Sequence, residues 1–269
     1  MELRGASADA LATLQSELSG AVDGGADAAT LGDELFTVAR ALRTEPTLRR
    51  VASDASIPTK AKQGLMSEVL GGQASEPTSA LVSSSVAQRW TLSRDLPDAL
   101  ERLSEIALVL SAGKDGDQLV DELFAVGQTV NGNGELREAL ANPARSVEDK
   151  SALVDSLLGG KVLPATVTLT KQSLAGTYRT VTLALTTYRK VAAEVVGQSV
   201  ATVRVTKPLE ESERKRLVEV LSKAYDRKIH VNEIVDPSVL GGVRVEIGDD
   251  VIDGTISSRL TDARRRLVG

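Results

Sequence analysis

Few side chains in this sequence could carry out chemistry. The 269 residues include no cysteine and a single histidine, His230. Without cysteine there is no disulfide, thiol nucleophile or cysteine-bound zinc, and a lone histidine argues against a histidine metal cluster or a catalytic triad. Asp249, Asp250 and Asp253 lie close together in the sequence, but paired-carboxylate catalysis needs two positioned acids with separated pKa values. Nothing in the pattern indicates such a pair, so we expect no catalytic residue, metal or cofactor.

Two glycine–lysine pairs invite comparison with a phosphate loop. Gly113-Lys114 is followed by Asp115, and Gly160-Lys161 is followed by Val162. A phosphate loop needs an upstream glycine and a Ser or Thr after the lysine, because backbone amides at a helix start hold the anion. We therefore expect no nucleotide site. The three arginines at 264–266 fall in the last turns of a predicted helix, and either a solvated helix end or an acidic partner would explain them.

Composition narrows the class of protein further. The formal net charge is −5, with 42% hydrophobic and 26% charged residues, as in ordinary globular domains. A nucleic-acid-binding chain is usually basic, so we expect no nucleic-acid partner. No apolar run approaches the ~18 residues that suggest a membrane span, so the sequence predicts a soluble, cytoplasmic protein.

The chain contains an internal repeat with an offset of 88 residues. Residues 31–87 match residues 119–175 at 17 of 57 positions without a gap. The matches include Glu34-Leu35-Phe36 with its counterpart at 122–124, and Leu70-Gly71-Gly72 with its counterpart at 158–160. A repeat of this length indicates a duplicated structural module.

Apolar residues within each repeat follow the three-and-four spacing of amphipathic helices, as at Leu31, Leu35 and Leu42. One stretch conflicts, because residues 163–196 are rich in Thr and Val and local propensity favours strands there. The repeat pairs this stretch with helical sequence, and tertiary context often overrides propensity, so we predict helix. A further helix near 98–110 could close the first module, open the second, or do both.

The pattern changes after Gly197. Residues 201–205 alternate apolar and polar, which predicts a strand, and a helix is predicted from Glu210 to Asp226. A second strand follows at 229–235. Two further strands joined by Gly248-Asp249 form a predicted hairpin, and Val251 and Ile252 are predicted to lie in the core of the small domain. A last helix is predicted from about Thr255. The fold class is thus mainly α, with two tandem helical-bundle modules and a small α+β domain of strand, helix, strand, hairpin and helix.

Residues 236–260 closely resemble the C-terminal signature of the F-type ATP synthase delta subunit family, which includes the mitochondrial oligomycin sensitivity-conferring protein. Asn142-Pro143 and Lys150 also resemble the family's pattern in its helical domain. The residues that carry the signature are Asp236, Leu240, Gly241, Gly242, Gly248, Asp249, Val251, Ile252, Asp253, Gly254, Arg259 and Leu260.

The resemblance implies a non-catalytic stator subunit at the cytoplasmic face of the cell membrane. In this family the helical domain binds N-terminal segments of alpha subunits, and the C-terminal domain binds the b-type peripheral stalk. Three domains are expected: an extra helical module at 1–96, the counterpart of the family's helical domain at 97–196, and the stalk-binding domain at 197–269. An independent helical-repeat adaptor for amphipathic partner helices is the alternative, although it leaves the signature unexplained. The remaining alternative is an enzyme that uses the aspartates of the predicted hairpin.

Overall fold

The computed structural model of the chain describes residues 3–225, 228–236, 239, 242–247 and 250–253. The chain divides into two compact units, 1–191 and 192–269. The first is helical, and the described part of the second contains a small sheet. The predicted fold class, mainly α with a small α+β region, is therefore confirmed.

The helices of the first unit repeat with the same offset as the sequence. The helix bounds, in chain order, are α1 Ala6–Asp23, α2 Ala28–Thr44, α3 Pro46–Ser53, α4 Thr59–Leu70, α5 Glu76–Ala87, α6 Asp95–Ser111, α7 Gly116–Gly132, α8 Gly134–Ala141, α9 Val147–Leu158, α10 Pro164–Gln172 and α11 Val181–Val195. Helices α2, α3 and α4 have the same lengths as α7, α8 and α9 and begin 88 residues earlier. Helices α5 and α10 also begin 88 residues apart. The duplication is thus one of structure as well as of sequence.

Local sequence explains where these helices begin and end. The Asp27 side chain accepts a hydrogen bond from Thr30 N at 2.6 Å and caps α2. Ser146 caps α9 in the same way, through Asp149 N at 3.0 Å. Gly71 ends α4 in the left-handed conformation, at φ +56°, which glycine adopts without the steric cost that a Cβ imposes. Capping residues and a left-handed glycine therefore determine where these helices begin and end.

The Thr- and Val-rich stretch is helical, as the repeat predicted. It forms α10 and α11, separated by an irregular segment at 173–180. Leu169 and Tyr188 are fully buried on these two helices. Burial of one face stabilises each helix more than its β-branched residues disfavour it, since the propensity cost is only a few tenths of a kcal/mol per residue.

Helix α6 belongs to both repeats. Thirteen of its 17 residues are buried, so it is covered on nearly every side. It contacts α1, α2, α3 and α5 of the first repeat and α7 and α10 of the second. Helix α6 therefore closes the first module and opens the second. The repeats share one helix within a single compact unit.

The described part of the second unit is a four-stranded mixed sheet with one helix. The elements are β1 Gln198–Val205, α12 Glu211–Ala224, β2 Lys228–Val235, β3 Val243–Ile247 and β4 Asp250–Asp253. The strand order is β2-β1-β3-β4, with β1 and β2 parallel and the other pairs antiparallel. Helix α12 connects the two parallel strands and buries Leu221 against their apolar faces. The predicted strands, helix and β3–β4 hairpin are confirmed.

The prediction that Val251 and Ile252 lie in the core is wrong. Their exposed fractions are 54% and 45%. They lie on β4, which is the last strand in the sheet order and pairs with β3. Neighbouring residues of a strand also point to opposite faces, so a sheet with one buried face cannot bury both. The predicted helix from Thr255 lies outside the described residues.

Candidate docking surfaces and the helix that joins the repeats

The signature residues that can be placed lie around the strands of the second unit. The backbone N–H of Asp236 donates to Val205 O at 2.8 Å, so it follows β2 directly at the end of β1. Gly242 has φ +86° just before β3, a conformation that favours glycine. Val251, Ile252 and Asp253 are on β4. Outside the described residues lie Leu240, Gly241, Gly248, Asp249, Gly254, Arg259 and Leu260. Their roles stay predictions.

The residues considered for chemistry are dispersed among the elements. His230 is on β2 and Asp250 is on β4, at opposite edges of the sheet. Within the described parts of the chain, no group of three or more His, Cys, Asp or Glu side chains is arranged to hold a metal ion. Lys161 follows α9, and its Nζ donates to Leu157 O at 2.9 Å. This lysine satisfies a carbonyl at a helix C-terminus, where a cation also complements the helix dipole.

A carboxylate links the second and fifth helices of the first repeat, and the second repeat has the same link. Glu34 on α2 accepts from Thr78 Oγ1 at 2.5 Å and from Ser75 N at 3.1 Å. Glu122 on α7 accepts from Thr166 Oγ1 at 2.5 Å and from Leu163 N at 2.8 Å. Glu122, Leu163 and Thr166 lie 88 positions after Glu34, Ser75 and Thr78, respectively.

Burial raises the pKa of Glu34, but the hydrogen bonds from Ser75 and Thr78 outweigh burial, so its pKa is lowered. Charge-assisted bonds of this kind are the stronger ones in proteins. The link therefore stabilises the fold above the ordinary carboxyl pKa and weakens as the acid becomes protonated.

Three carboxylates on α6, which we call the α6 carboxylate cluster, join the two repeats. The cluster consists of Asp98, Glu101 and Glu105. Glu101 is ion-paired with Arg43 of α2 and accepts from Thr177 N at 3.0 Å. Asp98 pairs with the same arginine at 3.3 Å. Because Arg43 belongs to the first repeat and Thr177 to the second, Glu101 is bonded on both sides of the shared helix.

Glu105 is the most deeply buried acid of the cluster. Its Oε1 accepts from Tyr178 Oη at 2.8 Å, and its Oε2 pairs with Arg102 Nη1 at 2.9 Å. Only 1% of the residue is exposed. Burial raises the pKa of Glu105 to about 7, although Arg102 and Tyr178 both act to lower it. Burial also raises the pKa of Glu101, against the opposing effect of Arg43. Desolvation is therefore the dominant electrostatic effect on these two acids.

Close packing accompanies this polar contact. Ser104 of α6 donates to Gly32 O of α2 at 2.6 Å and lies 3.2 Å from Gln172 Oε1 of α10. A Cβ at Gly32 would lie 2.6 Å from Leu108 Cγ, so only glycine allows α2 to approach α6 this closely. A Cβ at Gly176 would overlap a carboxylate oxygen of Glu101. The two repeats are fitted to each other along α6.

Sequence reasoning missed Glu101 and Glu105. Their spacing hides them, because Asp98, Glu101, Arg102 and Glu105 fall at i, i+3, i+4 and i+7 and so form one polar stripe, which is typical of a solvated helix face. The repeat offers one signal. At the offset of 89 that aligns α1 with α6, the counterparts of Glu101 and Glu105 are Ala12 and Ser16, so the acids are particular to the shared helix.

Two cavities open on the helical unit. One, of about 290 Å³, lies between α2, α3 and the end of α4, and we call it the α2–α4 groove. The other, of about 880 Å³, lies between α7, α8, α9 and residues 173–182. The larger cavity has both basic and acidic side chains in its lining, including Arg137, Arg179 and Glu138. Grooves between helices can accept amphipathic partner helices through their apolar faces.

No helix among the residues that the structure describes is long and apolar enough to cross a bilayer.

The fold and these surfaces define a class: a docking protein, built from a duplicated helical bundle and a small mixed-sheet domain. Comparison with known proteins makes the family explicit. Residues 103–267 match the family model described as ATP synthase delta (OSCP) subunit. The chain is 50% identical over 268 residues to the "ATP synthase subunit delta" of Nocardioides sp., with 99% of this chain and 98% of the relative covered. It is 41% identical over 269 residues to the protein of the same name from Streptomyces coelicolor, with 98% of each covered.

The chain belongs to the ATP synthase delta (OSCP) subunit family. The family predicted from residues 236–260 is thereby confirmed, and it is a family of structural stator subunits rather than catalysts. The family model begins within α6 and leaves the first repeat outside its match. The Nocardioides and Streptomyces relatives, in contrast, align along almost their whole length, so they contain the leading segment as well.

Proposed function

We propose that this chain is the stator subunit that links the catalytic head of an F-type ATP synthase to its b-type peripheral stalk. The helical unit binds N-terminal segments of alpha subunits, and the C-terminal domain binds the stalk at the cytoplasmic face of the membrane. The observation that carries the proposal is the 50% identity to an ATP synthase subunit delta over 99% of the chain. The mechanical task is to hold the head against rotation, which requires slow dissociation and therefore apolar anchors in a sizeable interface.

The leading repeat is proposed to be a second docking surface, for another alpha subunit or for the stalk. Its helices have counterparts of matching length in the second repeat. A duplicated bundle offers a duplicated set of helix grooves, and amphipathic helices bind such grooves through their apolar faces. We keep the proposed domains at 1–96, 97–196 and 197–269, with α6 shared by the first two.

The test is calorimetric titration of the full chain with synthetic peptides that carry the N-terminal segments of alpha subunits. We expect one or two peptides to bind, and two would assign the leading repeat as an alpha-binding surface. Scrambled peptides of the same composition are the control. Failure of every peptide to bind a folded chain, together with failure to co-purify with alpha and beta subunits, would favour the adaptor alternative.

Truncation is a poor test here. Removing residues 1–96 would uncover the side of α6 that α1, α2, α3 and α5 bury. Loss of binding by such a fragment would then report misfolding as readily as a lost interface. Surface substitutions in the full chain avoid this ambiguity.

A further inference from the structure

The larger of the two cavities, which we call the α7–α9 cavity, has a buried lysine in its lining. Lys150 lies on α9, lines the cavity, and is only 9% exposed. Within the described parts of the chain, its side chain forms no hydrogen bond and no ion pair. A lysine ammonium carries three hydrogen-bond donors, and burying a charge without a partner is costly. The cavity therefore presents a cation that lacks a countercharge among these residues.

The first repeat has the same lysine but places an acid near it. Lys62 lies 88 positions before Lys150 and is 3% exposed. Burial lowers the pKa of Lys62, and the Asp54 carboxylate acts to raise it, so this acid is close enough to stabilise the ammonium. The counterpart of Asp54 in the second repeat is Asn142. The second repeat thus retains the lysine and lacks the acid.

Asp54 and Asn142 are held in the same way by their own backbone. Asp54 Oδ1 accepts from Ser56 N at 2.8 Å, and Asn142 Oδ1 accepts from Ala144 N at 2.9 Å. Both are turns in which a side-chain oxygen binds the backbone two residues further on. The exchange of Asp for Asn therefore removes a negative charge and leaves the local geometry unchanged. A carboxylate from outside the chain would restore the missing charge.

The rest of the lining suits a carboxylate that is carried on a partner segment. The volume of about 880 Å³ is within the range of ligand pockets, ~300–1,000 Å³. Arg137, Arg179, Glu135 and Glu138 also line the cavity, but all four are exposed, so water screens their charges more than that of Lys150. Apolar side chains complete the lining, and they are Val130, Leu140, Ala141, Leu174 and Val181.

We propose that the α7–α9 cavity binds an Asp or Glu side chain of a partner subunit, with the carboxylate paired to the Lys150 ammonium and neighbouring apolar side chains of the partner on the cavity wall. The inference rests on the proposed function, because it assigns a contact between the second repeat and another subunit of the ATP synthase. The partner's acid would stabilise Lys150 as Asp54 stabilises Lys62. A charge pair in such a place also fixes the register of the complex.

The first repeat suggests the variant that tests this contact. Asn142→Asp gives the second repeat the internal acid of the first, and it keeps the acceptor for Ala144 N. We expect it to lower the affinity of the full chain for the purified alpha, beta and b subunits by about tenfold, because it neutralises the ammonium. Lys150→Met should lower that affinity by about tenfold or more. The control is Gln73→Glu, which adds a negative charge at an exposed residue outside the cavity and should change the affinity less than about twofold.

The double variant distinguishes one contact from a general effect on the fold. In a Lys150→Met chain, Asn142→Asp has no ammonium to neutralise, so we expect the double variant to bind about as tightly as Lys150→Met alone. Circular dichroism of the free variants checks that each is folded. Losses of affinity that simply multiply in the double variant would show that the two residues act independently, and they would overturn the proposal.

Carbodiimide cross-linking identifies the acid that pairs with Lys150. The reagent activates a carboxylate, the lysine amine attacks it to form an amide, and the displaced oxygen leaves with the reagent as a urea, so only groups in direct contact are joined. In the assembled wild-type complex we expect peptide mass spectrometry to find Lys150 joined to an Asp or Glu of the alpha, beta or b subunit. A link from Lys150 to Glu135 or Glu138 of its own chain would show that these acids supply the countercharge, and it would overturn the proposal.

The outcomes separate this inference from the proposed function. Unchanged affinity of both Asn142→Asp and Lys150→Met overturns the cavity contact and leaves the stator role standing. A wild-type chain that does not assemble with the subunits at all overturns both. Calorimetric titration of the free chain with acetate and with phosphate tests a small anion as the ligand. Binding that Lys150→Met abolishes, while that variant still assembles with wild-type affinity, would assign a small-anion site and would also overturn the proposal.

Discussion

Glu105 gives the helical unit a stability that falls as the pH rises. The pKa of this acid is about 7 in the folded chain, against an ordinary value of 4.5, and the cause is burial. Between these two values the folded state retains a proton that the unfolded state has lost. The free energy of unfolding therefore decreases as the pH rises through that window. The opposite sign holds for acids whose pKa is lowered in the fold.

The size of the effect follows from the two pKa values. A difference of one pKa corresponds to 1.36 kcal/mol, so the change from 4.5 to about 7 corresponds to about 3 kcal/mol between pH 4 and pH 8. Glu105 is almost fully buried, so solvent screening does not reduce this value much. A Glu105→Gln variant keeps the shape of the side chain and cannot ionise. Over the same pH range, we expect the free energy of unfolding of this variant to fall by about 3 kcal/mol less than that of the wild type.

The assay uses the single tryptophan of the chain. Trp90 lies in the helical unit, and its Nε1 donates to Ser85 O at 2.9 Å, so its fluorescence reports on that unit. Urea unfolding is measured at several pH values from 4 to 8 for the wild type, for Glu105→Gln and for Glu68→Gln. Glu68 is an exposed residue of α4, and its substitution controls for the loss of one negative charge.

The comparison between variants isolates one residue from the other carboxylates. Glu101 and Asp98 also have raised pKa values, with burial as the main cause, and they remain in every variant. Parallel curves for the wild type and Glu105→Gln would refute the reasoning. A wild type that gains stability relative to Glu105→Gln between pH 5 and pH 8 would refute it as well.

The remaining predictions concern packing and the repeated hydrogen bonds. Gly32→Ala should destabilise the helical unit by ~1–3 kcal/mol, because its Cβ would overlap Leu108; the shift in the urea midpoint measures this. A Cβ at Gly64 would have no atom within 4 Å, so Gly64→Ala should be neutral or stabilising by up to ~1 kcal/mol. Equal effects of the two substitutions would contradict the close approach of α2 to α6 at Gly32. Thr78→Val and Thr166→Val each remove the bond to a repeat-equivalent glutamate, so each should cost ~1–3 kcal/mol at pH 7. The cost of Thr78→Val should be smaller at pH 3, because the hydrogen bonds lower the pKa of Glu34 and the link weakens as that acid becomes protonated. A cost in one repeat alone would show that the equivalence is only geometric.

Much of the helical fold could be predicted because the sequence contains two copies of the helical module. A single Thr-rich stretch such as 163–196 is ambiguous by propensity, but its counterpart at 75–108 is not. The strands after Gly197 could be predicted because alternation with a period of two has no helical equivalent. Turn residues such as Gly71 then fixed where helices end. These signals are local, or they depend on comparing the chain with itself.

Signals that depend on neighbours far along the chain could not be predicted in this way. An apolar helix such as α6 must be buried, but its composition does not say by which helices. The pairing of Arg43 with Glu101, and of Thr177 with the same acid, joins residues that are 58 and 76 positions apart in sequence. Val251 and Ile252 show a different kind of error. Both are apolar, which favours burial, but adjacent residues of a strand point to opposite faces, so one buried face cannot hold both.

The burial of α6 shows how the two repeats of the duplication are combined in one unit. In the first repeat α1 opens the bundle with one side in solvent, and its residues Ala12, Ser16 and Ser19 are exposed. The corresponding residues of α6 are Glu101, Glu105 and Leu108, and all three are buried. A helix that opens a second bundle could face solvent in the same way only if nothing packed against it. Because α2 covers α6 and closes on it at Gly32, the leading repeat is part of the structure of the second one, and the two repeats form one compact helical unit rather than two bundles joined by a linker.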